Sequence, residues 1–561
     1  MAAQLSSLVP QEAAYAHALH TLELASRQLA SPSADERAQA TSTLLAFRDA
    51  PDMVDHACYA LAYSEDTALH FHVLGALLAR LPTLPAERPG KHVASLLDVR
   101  EWLLHAALTR ERGGVRGARA LPPFVRTRMC RVVVLLTKRI LAGVACSDAS
   151  PLLVLSEHAR QLLGAAAQDA ACGAIGLVLT EALAEELDAD VPRRSEQHAA
   201  APGAEDLPGR VPVGLNAGQH LWCKLVFQTA CLPTLLPDVF RALPAATNYL
   251  RASAEPARAL EMLELAARAL EAVLGWRFVL LNADGWESLP PEQLVYLQGE
   301  PDKWVAAAAT PDSALDKERV PPALEEALLS PDLPEALLDA HRAAAAQGGA
   351  LRSEALGARL RTCLGLLAAY EPAHAAGIEA SHGVALWRWQ RGALFRVLGA
   401  LATETPLPTS GTSAEAVDDA QVEMVRFLAQ LFRGLLAGAQ GGAYFAAEYD
   451  AAPLAAPLEP LTQAALHTAL ATLPFSADTP PELLAAADVA LDEVLGAWDA
   501  LVRLATGGGD ARLARAAGEV HAYVRERVVL PYMAARLGAA EPAAVELGEE
   551  APPDVETYAA V

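Results

Sequence analysis

Proline recurs about once in every fifteen residues of this chain, 38 in 561, and many of the prolines fall where a run of helical apolar periodicity stops. Proline ends or kinks a helix because it has no N–H to donate and its ring meets the carbonyl four residues back. The intervals are long enough for one helix and its turn and too short for a compact domain. The expected unit is therefore a helix that must find its partner in the next one along.

The residues between the prolines agree. Hydrophobic residues make up 53% of the chain and mean hydropathy is +0.20, yet aromatics are only 5%. The apolar mass is therefore largely Ala and Leu, both strong helix formers. Alternating β-branched runs closed by Gly or Asn-Gly turns are absent, and no segment reads better as a strand than as a helix. The fold class expected is all-α.

The first hundred and forty residues show the arrangement best. A helix over 14–29 leads to Ser31-Pro32-Ser33-Ala34-Asp35-Glu36, where Ser33 or Ser31 can cap and Glu36 can complete a capping box for a helix ending near Phe47. Pro51-Asp52 starts a third helix. Leu69, Val73, Leu74, Leu77, Leu78 and Leu81 recur at helical spacing in a fourth. Leu96, Val99, Leu103, Leu104 and Leu108 do so in a fifth, and Val125, Met129, Val132, Val133, Leu136 and Ile140 in a sixth. Three hairpins of about forty residues each result, the period of HEAT and armadillo repeats. Such hairpins bury both apolar faces only by stacking, so a curved superhelix, an α-solenoid with an extended concave surface, is expected.

Further helical segments are read at 152–187, 221–243, 256–279, 351–369, 384–401, 416–436, 461–473, 482–506 and 511–537. Residues 188–213 and 403–413 are rich in Pro, Gly, charge or Ser without periodicity and read as linkers. The organisation is then 1–187 as N-terminal repeats, 188–213 as a flexible linker and 214–561 as continuing repeats.

A formal charge of −24 argues against nucleic acid as a partner, since binding a phosphate backbone needs Lys and Arg to release counterions. An acidic surface suits basic protein partners. Between Arg88 and Arg139 bases outnumber acids, a stretch expected to form a solvated face. Seven cysteines are scattered without a C-x-x-C pair and read as reduced core residues of an intracellular protein. The N-terminus lacks the basic flank and apolar core of a signal peptide, and Lys138 and Arg139 break the most apolar stretch, so no membrane segment is expected.

The usual phosphate, dinucleotide, zinc and acyl-transfer motifs are missing. His70 and His72 lie about 200° apart around a helix axis and cannot share a metal ion. One is expected to face in and the other out. Thr506-Gly507-Gly508-Gly509-Asp510 lacks the Lys and preceding strand of a phosphate loop and reads as a turn. Trp102, Trp276 and Trp498 read as packing between repeats. No cofactor, no metal and no enzymatic activity are expected.

Particular strings carry a family resemblance. The run from Ser31 through Arg48, Phe71 in a helix of small and Leu residues, Arg100-Glu101-Trp102-Leu103-Leu104, and Phe124-Val125-Arg126 followed by Lys138-Arg139 resemble the opening repeats of the importin-β/exportin superfamily. Val213-Gly214-Leu215-Asn216, His220 and Cys223-Lys224-Leu225-Val226-Phe227-Gln228 resemble the exportin-4 branch more closely. Leu274-Gly275-Trp276-Arg277-Phe278, Cys363-Leu364, Leu495 to Leu501 around Trp498, and the acidic stretch from Glu546 to Glu556 continue that similarity in order. The exportin-7 branch shares the opening pattern. The chain ends at about the middle of a full exportin, which reads as truncation.

The resemblance implies a nuclear export receptor that binds Ran-GTP, protein cargo and nuclear pore proteins and shuttles between nucleus and cytoplasm. It places the Ran-facing surface on the second helix of each opening hairpin, residues 34–47, 66–81 and 123–141. Gln39, Thr43, His72, Arg126 and Lys138 are the candidate contacts there. The alternative expectation is a HEAT-repeat interaction scaffold without Ran dependence.

Overall fold

The structure is a computed structural model. It describes residues 13–113, 121–144, 146, 148–189, 210–211, 213–279, 315–316, 319–347, 351–372 and 382–404, with eight further positions between 423 and 435. Helix accounts for 81% of the described residues, so the fold is all-α. The expected helices beyond 436, the glycine-rich turn at 506–510, Trp498 and nearly all of both linkers lie outside the described residues. The chain divides into two compact units, 1–317 with 321–327, and 318–320 with 328–561.

The first unit opens with α1 (Ala13–Gln28) and α2 (Ala34–Asp49). Both serines between them are used. The Ser33 hydroxyl accepts from Glu36 N–H at 3.4 Å, while the Ser31 hydroxyl accepts from Ser33 N–H at 3.1 Å and donates to the Glu36 carboxylate. Next come α3 (Met53–Tyr63) and α4 (Thr67–Arg80), with Asp66 capping α4 by accepting from the N–H groups of Ala68 and Leu69. The third pair is α5 (Leu96–Glu111) and α6 (Pro123–Gly143). α7 (Ser150–Gly164) and α8 (Ala170–Asp188) follow. The helical segment read over 152–187 comprises these two helices, parted at 165–169, where Asp169 leaves helical geometry and caps α8 through the N–H groups of Ala171 and Cys172.

After α9 (Ala217–Val226), a capping box formed by Asn216 and Gln219 at its start, the chain passes through a π-turn at Phe227–Cys231 into α10 (Leu232–Ala252). Pro233 has no N–H to offer the carbonyl of Thr229, and one wide turn, with Leu232 N–H donating to Phe227 C=O, absorbs the mismatch. α11 (Pro256–Leu274) ends at Gly275, short of the expected boundary at 279.

α1 packs on α2, α3 on α4, α5 on α6, α7 on α8 and α10 on α11, and a second order is laid over these pairs. α2 packs on α4, α4 on α6, α6 on α8 and α8 on α11, while α1 packs on α3, α3 on α5 and α7 on α10. α8 is the most enclosed element. Residues Ala171 to Ala184, Glu186 and Leu187 are buried, as expected of a helix apolar on all sides. Gly176 permits this, because a Cβ there would lie 3.1 Å from Leu162, Leu163 and the Leu163 backbone nitrogen.

The second unit contains α13 (Asp332–Ala345), α14 (Leu351–Ala369) and α15 (His382–Glu404), with α14 and α15 both packed on α13. α12 (Pro322–Leu328), of which only Leu328 belongs to this unit, precedes them in the chain. Neither α12 nor α13 is among the helices read from sequence. Trp387 on α15 donates from its indole N–H to Tyr370 C=O at 2.8 Å, and Gln390 donates to Leu328 C=O at 2.6 Å.

The expectation of no strand is corrected. β1 (Phe278–Val279) pairs antiparallel with β2 (Leu315–Asp316), and β3 (Arg319–Val320) pairs parallel with β4 (Glu371–Pro372). Two-residue strands present no alternation to read, and their partners lie far off in sequence.

Candidate functional site

Two of the five candidate residues sit on α2. Gln39 is exposed and Thr43, one turn on, is half-buried, its hydroxyl donating to Gln39 C=O at 3.0 Å. α2 buries only Ala40 and Phe47 among its residues, so most of its surface is open. His72 lies on α4, which packs on α2, and is half-buried, whereas His70 is buried. Burial, and then the nearby Arg128, lower the His72 pKa, so this imidazole is neutral near pH 7.

Beside His72 is an aromatic cluster that sequence reasoning did not select for a binding role. The Phe71 ring on α4 meets the Phe124 ring on α6 edge-on at 5.8 Å and the His72 ring at 6.1 Å. The Arg128 guanidinium lies 3.8 Å from the Phe71 ring centroid. Gly75 leaves room for that side chain, since a Cβ there would come within 3.2 Å of Arg128 Nη2. Phe124 is 52% exposed. A stacked guanidinium beside an open aromatic face is an arrangement that engages protein side chains. The one signal in the sequence was Pro122-Pro123-Phe124, which puts an aromatic on the first turn of a helix, where little covers it.

Arg126 and Lys138 do not belong to this surface. Both are buried. α6 packs against α4, α5, α7 and α8, so a charged side chain on it meets protein on most sides. Arg126 spans Glu111 on α5 at 2.9 Å and Glu261 on α11 at 2.6 Å. Arg131 reaches Glu186 on α8 at 2.6 Å, and Lys138 reaches the same carboxylate at 3.5 Å while donating to the Glu186 carbonyl at 2.7 Å. The expectation of a solvated basic face between Arg88 and Arg139 is corrected accordingly: Arg100, Arg126, Arg128, Arg131 and Lys138 are interior. Burial works against the Arg126 charge, yet Glu111 and Glu261 raise its pKa overall.

The pairing continues along the unit. Arg268 on α11 meets Glu181 on α8 at 2.8 Å. Asp188, ending α8, accepts from Lys224 on α9 and from the N–H and guanidinium of Arg277 after α11. Lys224 also lies 4.9 Å from the Trp276 ring, and Trp276 is fully buried against Phe227. Buried and half-buried cations thus join segments that are distant from one another in the chain.

Within the second unit, a cavity of about 560 Å³ is lined by Arg361, Thr362, Glu423 and Phe427 among others. Among the described residues no group of three His, Cys, Asp or Glu side chains is placed to hold a metal ion, and no helix is long and apolar enough to cross a membrane. No protein-family model matches the chain, and no curated protein sequence matches it significantly.

Proposed function

We propose that this chain is a helical-hairpin repeat protein of the HEAT type that acts as a nuclear export receptor. In this reading it takes Ran in its GTP state on the faces of α2, α4 and α6, holds protein cargo elsewhere, and shuttles past nuclear pore proteins without catalysing a reaction. The observation that carries the proposal is the order of packing in the first unit, where the second helices α2, α4, α6, α8 and α11 each lie on the next. Where members of such a row keep a face open, as α2 does along most of its length and α6 does at Phe124, they supply a surface for another protein. Gln39, Thr43, His72 and Phe124 stand on the first three of them. Cargo and Ran would each favour the same arrangement of hairpins, so that each tightens the binding of the other, and hydrolysis of GTP would remove that coupling.

The test is a titration of the purified chain against Ran carrying a non-hydrolysable GTP analogue and, separately, GDP. Binding in the GTP state alone, weakened on the order of tenfold or more by Phe124→Ala, supports the proposal; the truncation of one central aromatic contact costs about that much. Equal binding of both forms, or none, refutes the Ran reading.

A HEAT scaffold without Ran dependence is the second reading. One observation favours it: two of the five expected contact residues, Arg126 and Lys138, are interior. It predicts partners whose binding is indifferent to the nucleotide.

A further inference from the structure

All seven cysteines are buried and free, but they are not equivalent. Cys58 and Cys130 are pushed up to about 12 and Cys231 to about 11, burial being the main cause in each. Such thiols are inert. Cys146 and Cys223 differ because their sulfurs lie 4.0 Å apart, brought together from positions 77 residues apart in sequence.

The backbone is bent to achieve this. Cys146 follows the C-terminus of α6 with φ at +58°, a left-handed conformation that L side chains rarely adopt. Its N–H donates to Leu141 C=O at 2.9 Å, closing the end of the helix. Its thiol sits against Gln219 and Cys223 of α9. Backbone strain at a non-glycine residue is a pointer to a positioned side chain. Gly143, Val144 and Asp148 around the turn are exposed.

We propose that Cys146 and Cys223 form an oxidisable dithiol that hydroperoxides convert to a disulfide, joining the end of α6 to α9. The hydrogen bond with Cys223 lowers the Cys146 pKa in spite of burial, whereas Cys223 is raised well above its ordinary value. Cys146 is accordingly the attacking sulfur. Its thiolate takes the distal oxygen of the peroxide, the O–O bond breaks, and a sulfenic acid and hydroxide result for hydrogen peroxide. The Cys223 sulfur then attacks the sulfenic sulfur and the S–O bond breaks. The departing hydroxide takes the Cys223 proton as water. The sum is two thiols and one peroxide giving one disulfide and two waters. Lys138 lies close enough to favour the Cys223 thiolate as its proton leaves.

The product closes a loop containing α7 and α8 and ties α9 to the turn that follows α6. A crosslink of that span restricts the unfolded chain and raises the melting temperature.

The test uses the full chain in its folded state, treated with hydrogen peroxide, alkylated, and digested with trypsin under non-reducing conditions. Cys146 lies in the tryptic peptide 140–160 and Cys223 in 211–224. The expected result is a loss of two hydrogens in the intact mass and a linked 140–160/211–224 pair that separates on reduction. Cys146→Ser abolishes the link and Cys58→Ser leaves it. In Cys223→Ser a sulfenic acid persists on Cys146 and reacts with a dimedone probe. Wild-type protein alone decides the matter if the variants fold poorly. A Cys146 sulfinic acid with Cys223 still alkylated, or oxidation elsewhere while both remain free thiols, overturns the proposal.

Discussion

Burial holds the His70 pKa down to about 4 from an ordinary value of 6.5, with Arg110 adding to the effect. Its Nε2 lies 3.0 Å from Ser64 C=O, which can only accept, so the neutral ring carries its proton there. The unfolded chain binds a proton at this position below pH 6.5 and the folded chain does not until about 4. Stability from His70 is therefore complete above pH 6.5 and lost as pH falls towards 4, by up to about 3 kcal/mol. Urea titrations across this range should show the loss, and His70→Gln should reduce its slope by close to one proton. The interior carboxylate of Glu186 is a harsher test of local chemistry, because both Arg131 and Lys138 rely on it. Glu186→Gln leaves two buried cations short of an anion and should cost about 3–5 kcal/mol in chemical denaturation. Lys138→Met should cost less, since Glu186 retains Arg131. Nothing in the local sequence could have revealed these roles. A cation on an amphipathic pattern reads as solvated unless the neighbours of its helix are known, and the partners of Arg126 lie 15 and 135 residues away.

At the level of the helix, Asp169 does two things at once. It caps α8 and accepts from Arg112 Nε, at the end of α5, at 2.6 Å. Asp169→Ala should lower stability by about 1–2 kcal/mol through the lost cap. Asp169→Asn keeps a capping oxygen and should lose only a few tenths, because the Arg112 pair is solvent-exposed and worth little. Thermal melts of both variants separate the two contributions. Helices with a clear apolar stripe are legible in the residue pattern itself: the expected 351–369 matches α14, and Leu69, Val73, Leu74, Leu77, Leu78 and Leu81 are all buried as their spacing requires. The break at Asp169 escapes such a reading because the alanines on either side of it keep the pattern apolar throughout. α13 escapes it for a related reason. Ala340, Ala343 and Ala344 form part of its buried face, and alanine contrasts too little with its surroundings to mark a stripe.

For the molecule as a whole, the all-α class follows directly from proline spacing and alanine content. The candidate surface is only partly legible. The α2 residues Gln39 and Thr43 and the α4 residue His72 are placed by resemblance, while the Phe71, Phe124 and Arg128 cluster depends on two helices meeting and has no one-dimensional signature. The enclosure of α8 has a consequence in time rather than in space. Backbone amides exchange with heavy water only when a helix opens, and a helix with neighbours on every side opens only when the unit around it comes apart. Residues 170–188 should therefore keep their protons longest in the first unit, at a rate set by global unfolding, while residues 34–49, with two buried side chains on α2, exchange by local fraying orders of magnitude sooner. Hydrogen–deuterium exchange on those two peptides would read the difference, and equal rates would mean that α8 is not the clock of the unit.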